Sequence, residues 1–250
     1  MEIKTDRLAK ILKRLNSGED PAAVRSEAQD FLASISAEEL TFAEQKLIEA
    51  GLKPEDLRHL CSAHMEMLGD EASVFKNSLP KGHVLHTLVS EHEMILGFLD
   101  KLEKANEQIQ KTNEFDSIDP VFGIVAHVAE HLEGAEPHHQ REEEVLFPAV
   151  EARGVYGPTE IMRMEHKDLR RYKQELIKIS SEFNAEDFAD SKKKLDTTVN
   201  FLTLTLRDHI FKENNILYPA ALGVIVKTED WNELKEKCDK IGYCCFTPEQ

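Results

Sequence analysis

Apolar positions along the chain recur at three- and four-residue spacing, and alternating strand-like runs are absent. Leu8, Ile11, Leu12 and Leu15 mark a helix over 4–16. Asp20 caps and Pro21 opens a second over 21–34, because a missing N–H is harmless in a first turn. Ser36 and Glu39 form a capping box opening a third, which stops at Gly51, and Pro54 starts a fourth that runs to about Leu68. After a polar stretch from Gly69 to Gly82 the helices lengthen. The pattern predicts helices over 83–110, 119–152, 158–184 and 187–222, then a short one near 229–240 before the tail YCCFTPEQ. Gly154 and Gly157 mark the turn before the third long helix, and Pro137 is expected to kink the second.

The fold class is therefore all-α: four long helices on short loops make an up-down-up-down four-helix bundle, preceded by a small helical domain. The expected division is 1–70 as the helical module, 71–82 as a connection, 83–222 as the bundle and 223–250 as a short helix with a cysteine-containing tail.

An internal repeat carries the chemistry. His138-His139-Gln140-Arg141-Glu142 through Pro148-Ala149 superposes on His209 through Pro219-Ala220, with the shared pattern H-x-x-[RK]-E-x-x-[VI]-L-[FY]-P-A. It sets His138 over His209, Arg141 over Lys212 and Glu142 over Glu213. Upstream of each copy stands a Glu-His pair, Glu91-His92 and Glu165-His166. A His and a Glu four apart share one helix face. Two such helices, with one further His from each remaining helix, bring His92, His138, His166 and His209 together with Glu142 and Glu213. Burying two carboxylates without a cation costs several kcal/mol each, so the pattern points to two divalent metals bridged by the carboxylates. Nitrogen-rich ligands with a few carboxylates suit iron, with zinc or manganese as substitutes.

His139 and Glu143 are also four apart, but the repeat sets His139 over Ile210, so His139 is expected to face elsewhere and His139→Ala to spare the site. Glu136 and His139 show the spacing of a ferritin-type di-iron site, yet no second copy exists. His131 and His127 precede His138 on the same helix. They are either partners behind the ligands, with a path into the site, or solvated histidines. Glu165, beside His166, is either an additional ligand or a surface residue. Cys61 and His64 make at most half a zinc site, and Cys238, Cys244 and Cys245 do not spell a disulfide framework.

The balance of 31 basic against 47 acidic residues, a net charge of −16, argues against nucleic acid. No apolar run is long enough to span a membrane, and the N-terminus lacks a secretory apolar core, so a cytoplasmic location is expected.

With these residues in view, 83–222 resembles the hemerythrin-like, or HHE cation-binding, domain. The resemblance implies a non-haem di-iron centre, with an oxo bridge when oxidised, on His92, His138, Glu142, His166, His209 and Glu213. Oxygen-carrying hemerythrins have a further His one turn after the third-helix ligand, and Arg170 stands there in this chain. The four-His, two-Glu set, with Glu165-His166 and Glu213-Asn214-Asn215, is similar to iron–sulfur repair (Repair of Iron Centers) proteins, though their cysteine-bearing N-terminal module is not evident. Residues 1–70, with AEQKLIEAGL and LCSAH, resemble the DUF438 family. The resemblance implies a protein that senses or responds to O2 or NO at an open iron position, or one that repairs clusters by redox chemistry or iron donation, or a simple iron buffer. Residues 1–70 are the expected surface for a protein partner.

Overall fold

The computed structural model describes residues 72–112, 119–183 and 188–249, together with Arg7, Lys10, Ile11, Arg14, Glu19, Val24 and Phe31. The predicted helices over 36–51 and 54–68, with Cys61 and His64, lie outside these residues, as does most of those over 4–16 and 21–34.

All regular structure among the described residues is helical. A short helix α1 (Ala72–Asn77) precedes α2 (Val84–Lys111) and α3 (Asp119–Glu133). Next come α4 (Glu136–Arg141), a π-helical turn (Glu142–Leu146) and α5 (Phe147–Glu151). They are followed by α6 (Gly157–Glu182), α7 (Phe188–Lys212), a second π-helical turn (Glu213–Leu217), α8 (Tyr218–Val224) and α9 (Thr228–Ile241). Helix α2 packs against α3, α3 against α6, α6 against α7, and α7 back against α2, which closes the four-helix ring.

The ends follow local chemistry. His83 caps α2 by accepting from the Leu85 N–H at 3.2 Å. Pro158 sits in the first turn of α6, where its fixed φ suits a helix start. Gly154 takes φ +88°, a left-handed value that favours glycine.

Three differences from the sequence reading matter. The expected helix over 119–152 is not continuous. It breaks at Gly134–Ala135, and Pro137 stands in the first turn of a new helix rather than kinking an old one. The expected helix over 187–222 is likewise interrupted by a π turn. The polar 71–82 stretch holds α1, and its Phe75 packs against the core.

Apolar side chains form two layers. One joins Leu85, Leu88 and Val89 to Leu146, Phe147, Met162, Ile216 and Leu217, and takes in Ile11 and Val24 from the N-terminal segment. The other joins Ile95, Leu99, Val128, Leu132, Leu169, Leu206 and Ile210. On α2, His92 falls between Val89 and Ile95; on α6, His166 falls between Met162 and Leu169. A thin polar layer thus crosses the bundle between two dry ones.

Candidate metal centre

The six residues singled out by the repeat converge in that layer. His92, His138, His166 and His209 are at most 1% exposed, and Glu142 and Glu213 are fully buried. The imidazoles pair across the bundle: His92 Nε2 lies 3.0 Å from His138 Nε2, and His166 Nε2 lies 3.1 Å from His209 Nε2. Two nitrogens that each bind one metal at about 2.1 Å in neighbouring positions stand about 3 Å apart. Glu213 lies among them, with Oε2 3.1 Å from His92 Nε2 and Oε1 3.1 Å from His209 Nε2. Glu142 Oε2 lies 3.4 Å from His138 Nε2 and 3.5 Å from His166 Nε2. Glu142 Oε2 and both Glu213 oxygens are buried without a hydrogen-bond donor. Buried carboxylate oxygens are rarely left so, and this donor set fits a cation between them. Two of the groupings close enough to hold an ion are His92 with His138 and Glu213, and Glu142 with His166 and Glu213.

Each inward Nε2 is set by a partner on the opposite ring nitrogen. His138 Nδ1 lies 2.8 Å from Glu91 Oε2 and His209 Nδ1 lies 2.8 Å from Glu165 Oε2. His166 Nδ1 lies 2.7 Å from Glu143 Oε1, and His92 Nδ1 lies 2.8 Å from Asn214 Oδ1. An Nδ1–H donated outward leaves Nε2 as the lone pair facing in, the tautomer a metal needs. The repeat explains the symmetry. Arg141 Nη2 donates to Glu91 at 2.6 and 2.7 Å, and Lys212 donates to Glu165 in the matching place.

Glu165 therefore stands behind His209 with its carboxylate turned away from the inward nitrogens. His131 bonds its Nδ1 to the His127 carbonyl at 2.9 Å and lies against Phe98, and His127 is exposed. Neither reaches the polar layer. Arg170 donates to Glu136 and Glu143, which steadies the carboxylate behind His166.

The expectation that His139 faces elsewhere fails. It is 2% exposed, and its ring stacks on His166 with centroids 4.1 Å apart. The reason is that its ring lies among His166 of α6, His209 of α7 and the neighbouring His138. Ile210, its counterpart in the repeat, is buried as well.

Sequence reasoning also missed Glu91, Glu143, Asn214 and Tyr218. The first was legible as the twin of Glu165, with Arg141 over Lys212 as the clue. Tyr218 donates its hydroxyl to Glu142 Oε1 at 2.6 Å and stacks on His92. Thr247 of the tail donates to Glu91 Oε1, so the C-terminal segment closes over the site. Cys238 and Cys244 are buried there, and burial pushes their thiols up to about 11 and 12.

The metal-free electrostatics show what the layer lacks. Burial and then the Glu213 charge push the Glu142 carboxyl well above the carboxylate range. Against burial, His209 holds Glu213 well below it. Against the same burial, Glu213 and Glu165 raise His209 to about 9. Protons thus occupy a layer whose donor set suits cations.

Burial works against the Glu91 charge, but the hydrogen bond from His138 and the charges of His138 and Arg141 hold its carboxyl at about 2. A depressed folded value means stability present above the unfolded value of 4.5 and lost as pH falls toward about 2. Glu91→Gln is expected to cost the metal-free chain roughly 3 kcal/mol at neutral pH. It should also flatten the fall in stability between pH 4.5 and 2. Urea unfolding across that window measures both; an unchanged slope counts against the pairing.

No helix among the described residues is long and apolar enough to cross a membrane. The hemerythrin HHE cation binding domain model matches residues 83–221, and the model for DUF438, a family of unknown function, matches residues 8–74. The chain is similar to the iron-sulfur cluster repair protein YtfE of Musicola paradisiaca (strain Ech703), 27% identical over 120 residues, covering 46% of this chain and 54% of that protein. It is also similar to the YtfE proteins of Yersinia pseudotuberculosis serotype IB (strain PB1/+) and Yersinia pestis (strain Pestoides F). Each of these is 30% identical over 105 residues, covering 40% of this chain and 47% of the relative. The chain thus spans about half the length of the curated relatives it matches. A family match over more than half of the sequence, on the helices that carry the convergent histidines and carboxylates, makes this chain a member of the hemerythrin HHE cation-binding family.

Proposed function

We propose that the bundle holds two non-haem iron ions, one on His92 and His138 and the other on His166 and His209, with Glu142 and Glu213 bridging. The observation that carries this reading is the pair of Nε2–Nε2 separations, 3.0 and 3.1 Å, flanking carboxylate oxygens that are buried without donors. When bound, two irons supply one-electron redox steps and a coordination position for a diatomic ligand.

The chain's own groups prepare that chemistry. Glu91, Glu143, Glu165 and Asn214 take the Nδ1 protons and fix ring orientation. Arg141 and Lys212 neutralise Glu91 and Glu165, which leaves Glu142 and Glu213 as the carboxylates whose charge the metals offset. The Tyr218 hydroxyl holds Glu142 Oε1 and keeps a proton at the edge of the layer. The dry layers on either side exclude water and raise the strength of every charge interaction inside.

The physiological role that fits is a response to oxidative or nitrosative stress, with O2 or NO meeting an open iron position. The similarity to proteins named for iron–sulfur cluster repair favours a second reading of the same centre, redox chemistry or iron donation to damaged clusters. Iron buffering is the simplest alternative. Residues 1–70 are the proposed partner-binding portion, with the chain working in the cytoplasm.

Anaerobic reconstitution with Fe(II) is expected to give about two irons per chain, zinc or manganese substituting when offered instead. Titration with O2 and NO then separates the readings. Stable ligand binding with a shape change and no turnover supports sensing, and transfer of iron to a cluster-depleted acceptor supports repair. A chain that stays iron-free under these conditions overturns the di-iron proposal.

A further inference from the structure

We infer that His139 is a seventh ligand, binding the metal held by His166 and His209, so that the two positions carry three and two imidazoles. This rests on the di-iron reading above and extends it to a residue that the repeat leaves out.

Three observations support it. A ring nitrogen of His139, one of His166 and one of His209 all lie within 4.8 Å of one another, and all three residues are buried. The other four imidazoles in the layer have Nδ1 engaged at 2.7–2.8 Å, whereas His139 Nδ1 is buried with no hydrogen bond. Its nearest carboxylate oxygen, Glu136 Oε2, is 3.7 Å away. Finally, the α6 position one turn after His166 holds Arg170, whose guanidinium turns to Glu136 and Glu143, so α6 offers no second imidazole to that metal. The side chain that reaches the same corner comes from α4.

A metal lies in the plane of each imidazole that binds it. The stack of His139 on His166, tilted by only 20°, therefore has to open when both ligate. A turn of His139 about its side-chain torsions opens it. The consequence for the proposed function is positional: the open coordination site falls on the metal of His92 and His138, beside the Tyr218 ring.

The test is anaerobic Co(II) titration of the full chain, wild type against His139→Gly. The variant is expected to bind two Co(II), with one step weakened at least about tenfold and the other unchanged. The visible absorption of the weakened step should intensify as coordination falls from six to five. Free imidazole should restore both affinity and spectrum. His139→Gln, which retains bulk, is expected to weaken the same step if the glycine variant fails to fold. Two unchanged steps with no response to imidazole overturn the seventh ligand while leaving the dinuclear centre standing. Fewer than two Co(II) on the wild type overturns the dinuclear centre itself, and His139 ligation with it.

Discussion

Glu213→Ala is expected to abolish dinuclear metal binding, leaving at most one weakly held ion per chain. The Glu213 carboxylate faces three of the four paired imidazoles, at 3.1 Å from His92, 3.1 Å from His209 and 3.7 Å from His166. Its loss removes a donor from both proposed positions at once, together with one of the two negative charges that offset the cations. Replacing a residue that merely supports a ligand costs about 10- to 100-fold in metal affinity, so losing a shared ligand should exceed that at each position. Iron analysis and the charge-transfer absorption of the oxidised protein read the effect, and Glu142→Ala should match it. The metal-free chain should lose stability as well. Glu213 and His209 hold each other charged, so removing the carboxylate leaves a buried pair without one partner and the unfolding midpoint in urea should fall. Wild-type iron content in either variant would place the metals elsewhere.

Metal loading is expected to raise the thermal midpoint by about 8–16 °C. An ion that binds the folded chain alone stabilises it by about 4 kcal/mol when free metal is a thousandfold above its dissociation constant. A domain of this size moves by about 2–4 °C per kcal/mol. The layer favours a large share of that effect, because the proposed ligands come from α2, α4, α6 and α7 and from both π turns. The two ions together would therefore tie the ring. Chelation should reverse the rise, and Glu213→Ala should show almost none. A midpoint that ignores metal in the wild type would mean that the ions sit on the surface rather than between the helices.

The bundle and its six convergent residues were legible because two independent periodicities agree. Helical spacing gave the long elements, and the repeat fixed which of two His–Glu registers points inward. What escaped depended on tertiary context. His139 reads as facing away from the site because its counterpart in the repeat is Ile210, and only the approach of α6 and α7 sets its ring beside His166 and His209. The Nδ1 partners were half visible. Glu91 and Glu165 are identical twins in the repeat, whereas Glu143 and Asn214 share one repeat position but differ in residue type, so the symmetry between them is harder to see. Pro137 signalled a disturbance in the second long helix, but proline alone does not say whether a helix ends, bends or widens, and the widened turn ahead of Pro219 in the fourth was not foreseen.

The widened turns have a consequence for how such chains are compared and cut. In each, the N–H of Phe147 or Tyr218 reaches back five residues, to the carbonyls of Glu142 and Glu213. Pro148 and Pro219 follow at once, each without an N–H and crowding the carbonyl four residues back. A π turn is an α-helix carrying one extra residue, so Glu142 and Glu213 are placed by a duplicated single-residue insertion. Deleting one residue between Glu142 and Phe147 would restore an ordinary helical count. Because the widened turn takes up the extra residue locally, the helix on either side would keep its phase, with Phe147 and Val150 still in the dry layer they fill. Alignments with uninterrupted helical bundles therefore need a one-residue gap in each copy, immediately ahead of its proline.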